Sequence, residues 1–304
     1  MNSMVLAGVG FGLCAAVAQT LSYLASRHFL LRSRASANRL WVVSHGIMGV
    51  WSLALLPLLW SPQVAPAREW LWPLAGTSGF YLIGQATLFR VLQAEPSSRV
   101  APLLGTKIIV LAVITAFALH TPLTGWQWAA AAMSVAAAWL LNEAGGRLRG
   151  ATAGLMAITV LAYCLSDLSI RVLVERVGLP GARGPLLGLC LAYVTCGVVA
   201  LPFAFGRQYR SLAVWTGGVP YALAWFVAMG FLFACFSAVG VVFGNILQST
   251  RGLFAIVLGA ALAHRGLTHL EAQVTHGVFW KRAVGAVLMS AAIAVYVLQA
   301  AKGR

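Results

Sequence analysis

Acidic residues are nearly missing from this chain. Six Asp and Glu stand against 21 Lys and Arg in 304 residues, and charged residues of both signs make up only 9% of the sequence. A soluble domain carries about a quarter charged residues, so that class is excluded. Cysteine is scarce too: Cys14, Cys164, Cys190, Cys196 and Cys235 all fall in apolar segments, with no CxxC or Cys/His spacing. That argues against a disulfide framework or zinc site and leaves them as small packing residues. No G-x-S-x-G, H-E-x-x-H or P-loop occurs, and no two carboxylates share an apolar stretch, so enzyme chemistry has no support. Neither a cofactor nor a metal is expected. The first apolar run lacks a basic n-region and an A-x-A cleavage site, and it reads as a retained span rather than a signal peptide.

What the chain does have is apolar surface, at 61% of residues, in runs near 20 long. Runs of that length cross a hydrocarbon core about 30 Å thick. Splitting at charge, Pro and Gly clusters predicts an all-α membrane protein of ten transmembrane helices, near 4–24, 40–60, 70–91, 98–119, 126–141, 152–173, 186–205, 212–236, 241–263 and 281–299. The net charge of +15 is scattered through short loops. It therefore speaks for orientation in a membrane, not for a nucleic-acid partner. Connections after odd-numbered spans hold roughly twice the basic residues of the even-numbered ones, which places both termini outside the cytoplasm.

The sequence also repeats itself. LLGTKIIVLAVITAFALHTPLT at 103–124 aligns without a gap on LQSTRGLFAIVLGAALAHRGLT at 247–268, matching Thr106 to Thr250, His120 to His264 and Lys107 to Arg251, 144 residues apart. The same offset pairs Ala18, Leu21, Ser22, Leu24 and Arg27 with Ala162, Leu165, Ser166, Leu168 and Arg171. The polar break NEAGGRLRGA at 142–151 divides the spans five and five. Residues 1–141 and 152–304 are thus two five-helix repeats, and an odd number of spans per repeat makes them inverted. Inverted repeats place substrate near the midplane, at the repeat interface.

Two fixed cations at equivalent depths each cost roughly 2.5–3.5 kcal/mol to insert. Counted from Ser97 and Gly240, Lys107 and Arg251 lie about ten residues, roughly 15 Å, into their helices. The favoured explanation is an anionic substrate; snorkelling or pairing with a carboxylate is the alternative. Thr106 and Thr250 precede the cations directly, and Asn245, Gln248 and Ser249 form a broad polar face before Arg251, open to a cavity or to interhelical bonding. Gln85, Gln19, Tyr23, His45 and Trp225 are weaker candidates. Asp167 is the one acid well inside a span. It forms either an i,i+4 ion pair with Arg171 or a protonatable coupling site. Trp70, Trp72, Trp126 and Trp280 read as interface anchors, and a metal site from His264, His269 and His276 is disfavoured.

Ten spans in two repeats, the short connections AEPSS at 94–98 and SAVG at 237–240, and LGAALAHRGLTHLE…KRAVGAVLMSAAIAVYVL at 259–298 resemble the drug/metabolite transporter superfamily, EamA-type. Members commonly carry a glutamate at the end of the fourth span of each repeat. His120 and His264 stand there, which resembles a divergent branch. The resemblance implies that basic residues of the fourth and ninth spans recognise phosphate, and it implies cytoplasmic termini, against the charge count. The expectation is a secondary transporter of a small anionic or phosphate-bearing metabolite, in a bacterial inner membrane, as a monomer or homodimer with membrane lipid around it. An exporter of amino acids or neutral metabolites, or a lipid-phosphate-handling protein, are the other readings.

Overall fold

The computed structural model describes residues 3–32, 36–95, 100, 103–118, 123–142, 150–264 and scattered positions between 277 and 295. The described chain is helical throughout. Its helices are α1 (Ser3–Arg32), α2 (Ala37–Leu59), α3 (Ala67–Ala94), α4 (Lys107–Val113), α5 (Gly125–Asn142), α6 (Gly150–Val177), α7 (Arg183–Ala204), α8 (Leu212–Val239), α9 (Val241–Ser249) and α10 (Arg251–His264). Local chemistry sets several boundaries. Ser36 caps α2, its hydroxyl accepting the Arg39 amide, as a serine N-cap does. One residue, Gly240, separates α8 from α9 at φ 83° and ψ 168°, a backbone region that side chains bar to other residues.

Helices α1, α2, α6, α7 and α8 are long and apolar enough to cross a membrane. The ten expected spans are therefore only partly matched. Helix α3 is as long as α8 but buries Thr77, Ser78, Gln85 and Thr87. The expected fourth and ninth spans are not single helices. A 3-10 turn, Leu104–Thr106, precedes α4 and a π turn, Ile114–Ala118, follows it, while Thr250 interrupts the path from α9 to α10. Most of the tenth span, His120, Ser97, the 142–151 connection apart from its ends, His269 and His276 lie outside the described residues, as does the side chain of His264.

Helix α1 packs along α8, α3 along α6, and α2 along α7. The first two pairs are antiparallel: Gly8 of α1 meets Val239 of α8 while Phe29 meets Gly217, and Gly76 and Gly84 of α3 meet Ser169 and Tyr163 of α6. Apolar lipid gives helices no hydrophobic reason to associate, so close packing and buried polar bonds must do so. Gly49 and Gly197 show how close: a Cβ added to Gly49 would sit 2.8 Å from the Gly197 Cα. Between these pairs lies a knot of buried aromatics, Tyr23, Tyr81, Tyr163, Tyr193, Tyr221 and Trp225, which walls the site.

Candidate functional site

Two threonines shape the backbone beneath the cations. Thr106 Oγ1 donates to the Leu103 carbonyl at 2.8 Å and Thr250 Oγ1 to the Leu247 carbonyl at 2.7 Å, each three residues back. Such back-bonding competes with the helix's own ladder, and the regular helix breaks at both places. Lys107 and Arg251 then open new helical segments. A pair of side-chain clips holds these breaks: Thr20 Oγ1 on α1 donates to the Arg251 carbonyl at 3.1 Å, and Cys164 Sγ on α6 to the Lys107 carbonyl at 3.6 Å. Thr20 and Cys164 are themselves 144 residues apart.

The side chains differ more than the backbone. Lys107 Nζ lies 2.6 Å from Asp167 Oδ2, with both groups buried. Asn245 Nδ2 donates to the same carboxylate oxygen at 2.8 Å and to the Val241 carbonyl at 3.0 Å. Gln248 Oε1 accepts from Lys107 at 3.5 Å, and the ammonium stands 5.4 Å from the Tyr163 ring centroid. Arg251 is equally buried, at 3% exposure. Its Nη1 donates to Gln19 Oε1 at 3.1 Å, and its Nε is buried with no hydrogen-bond partner among the described residues.

Lys107, Asp167, Gln248 and Arg251 line one cavity together with Gln19, Ser166 and the aromatic wall of Tyr23, Tyr81, Tyr163 and Trp225. Its volume is about 20 Å³, room for about one water. Asp167 is the only buried acid among the described residues. Two buried cations facing one carboxylate leave the cavity with one formal positive charge in excess.

The expected ion pair of Asp167 with Arg171 is not formed. Arg171 Nε donates instead to Glu175 at 2.8 Å, in a half-exposed i,i+4 pair, while Asp167 turns inward to Lys107. The physical reason is burial: an unpaired ammonium in the interior costs far more than an exposed guanidinium. Ser249, Thr250 and Thr106 do not line the cavity. The Ser249 hydroxyl donates to the Ile246 carbonyl, and the threonines shape the backbone as described. Asn245 acts on Asp167 rather than on the cavity. Gln85 sits one layer out, accepting from Tyr163 at 2.8 Å and donating to Tyr81 at 2.8 Å and Tyr221 at 2.7 Å. Its amide is used up cross-linking the tyrosines. His45 is buried among Trp41 and Tyr81, and Trp70, expected at an interface, is buried with Nε1 on the Ala65 carbonyl at 2.9 Å. Tyr81, Tyr163, Ser166 and Met229 also line the cavity. Sequence reading passes over them, although Tyr163 stands 144 residues from Gln19 and Asp167 from Tyr23.

Paired cations buried in a helical membrane bundle define a class, a multi-pass membrane protein with a charged interior site. Residues 6–143 match the model of the EamA-like transporter family. That match places the first half of the chain alongside the EamA-like transporters of the drug/metabolite transporter superfamily. A solved crystal structure is similar over 98% of this chain and 99% of its own, at 17% identity and a TM-score of 0.62, which shows a shared fold. No curated protein matches the sequence significantly.

Proposed function

We propose that this transporter moves a small anionic or phosphate-bearing metabolite, with Arg251 as its principal contact. The observation that carries the reading is the Nε of Arg251, buried and without a hydrogen-bond partner among the described residues, in a cavity with one excess positive charge. Lys107 is the second contact, available once an anion competes with Asp167 for it, and Gln248 and Gln19 supply the surrounding hydrogen bonds.

The architecture proposed is two inverted five-helix repeats, 1–141 and 152–304, joined by 142–151. Contacts support it: Lys107 of the first repeat pairs with Asp167 of the second, and Arg251 of the second with Gln19 of the first. A cavity of about 20 Å³ is too small for any metabolite. Binding therefore requires the repeats to part, and rocking them about this site gives alternating access in a plasma membrane.

A second reading has its own support. Asp167 beside Lys107 and Arg251 offers both signs of charge, which suits the ammonium and carboxylate of an amino acid. Uptake into proteoliposomes of phosphorylated metabolites, organic acids and amino acids, with wild-type protein and Arg251→Gln, tests both. The anion reading expects a phosphorylated or organic anion to be carried and the variant to lose it. Transport of amino acids alone supports the second reading, and anion transport unchanged in Arg251→Gln overturns the assignment of Arg251.

A further inference from the structure

Away from the central cavity, a groove of about 650 Å³ opens where α1 ends and α2 and α8 begin. Its lining has two characters. His28 and Arg39 supply polar nitrogen, whereas Phe29, Ala213, Val214, Gly217 and Pro220 supply an apolar wall. Among the described residues the Nε of Arg39 is buried and has no hydrogen-bond partner, and no carboxylate lines the groove. Because α1 stops at Arg32 and α2 starts at Ala37, the groove lies at the level of helix ends, where a bilayer places its headgroups.

The opposite end of the bundle supplies a contrast. A groove of about 530 Å³ there includes Trp72 and Val172, which stand 144 residues from Thr216 and His28. Its guanidinium, Arg171, is already matched by Glu175 at 2.8 Å. Of these two grooves, that of Arg39 presents cationic surface with no counter-charge among the described residues, next to a wall that a hydrated ion cannot use.

We propose that this groove binds an anionic phospholipid, its headgroup phosphate held between Arg39 and His28 and an acyl chain laid along Ala213, Gly217 and Pro220. Basic pockets between membrane helices recognise anionic headgroups in this way. An uncharged lipid would fill the wall and leave Arg39 unmatched; free phosphate would do the reverse.

Purified wild-type protein in a neutral detergent is titrated with phosphatidylglycerol, phosphatidylcholine or sodium phosphate, following thermal unfolding and lipid retention by native mass spectrometry. Phosphatidylglycerol is expected to be retained and to raise the unfolding temperature, with little effect from the other two. Arg39→Gln and His28→Gln should each weaken retention, by about fivefold for the arginine. Arg251→Gln should leave retention unchanged, which separates this site from the transport site. Should Arg39→Gln fail to fold, Arg39→Lys and His28→Gln carry the test. Equal effects of phosphatidylcholine or of phosphate, or phosphatidylglycerol retention intact in both groove variants, would overturn the proposal.

Discussion

Lys107 and Arg251 hold equivalent places in the sequence but unequal ones in the energetics. Removing the Lys107 ammonium strands the Asp167 carboxylate in the interior, so Lys107→Gln should destabilise the protein by about 3–5 kcal/mol. Adding Asp167→Asn to Lys107→Gln should recover most of that loss. Arg251→Gln gives up one hydrogen bond to Gln19 and relieves a buried charge that makes no ion pair among the described residues, so its unfolding temperature should fall little while stabilisation by a bound anion disappears. Denaturation in detergent, with and without the transported anion, measures all three; a Lys107→Gln protein as stable as wild type would show that Asp167 is not held by that pair. The two cations were legible because an exact offset joined them. The partner of Asp167 was not, since a helical neighbour four residues away is visible in sequence and a lysine 60 residues away, brought near only by packing, is not. The tyrosine wall was illegible for a similar reason: in an apolar span an aromatic that lines a cavity looks like one that packs. Gln85→Leu should expose how much that wall depends on one amide. Three tyrosine hydroxyls would lose a buried partner, and a loss of roughly 1–3 kcal/mol per unsatisfied group is the expected ceiling.

At the scale of elements, two glycines carry constraints that a methyl group would violate. Gly240 combines φ 83° with a single-residue connection between α8 and α9, and Gly240→Ala should cost of order 1–3 kcal/mol in backbone strain. Gly49 and Gly197 place the α2 and α7 backbones in contact, so Gly49→Ala must push the helices apart. Unfolding temperatures of both variants check this, and an unchanged value for Gly49→Ala would show that α2 and α7 separate freely. Helix positions were readable from apolar runs, as α1, α2, α6, α7 and α8 attest. The breaks before Lys107 and Arg251 were not, because continuous hydrophobicity says nothing about a threonine hydroxyl taking a carbonyl from the ladder. Their shared placement makes mechanical sense: a helix interrupted beside a buried charge can reorient one half without unfolding the other.

Across the whole molecule, charge divides between two ends. Arg27 on α1 donates to the Glu95 carbonyl at 2.9 Å, joining the end of α1 to the end of α3, and Phe29 meets Gly217 near the start of α8. Arg27, Arg39, Arg90, Arg207 and Arg210 therefore share one face. The Ala65 amide bonds the Val177 carbonyl at 3.2 Å, which sets Arg68, Arg171, Arg176 and Arg183 on the other, where Arg171 is tied up by Glu175. Short basic connections stay in the cytoplasm, so the face of Arg39 and Arg207 is expected inside and the start of α1 outside, against the cytoplasmic termini that family resemblance implies. Gln208 and Gln63 are exposed on these two faces. In a background with the five native cysteines replaced, a membrane-impermeant maleimide applied to intact cells should label Gln63→Cys and spare Gln208→Cys until the membrane is permeabilised. The reverse pattern would mean that the family's orientation outweighs the charge asymmetry, and it would move the phospholipid groove to the outer leaflet.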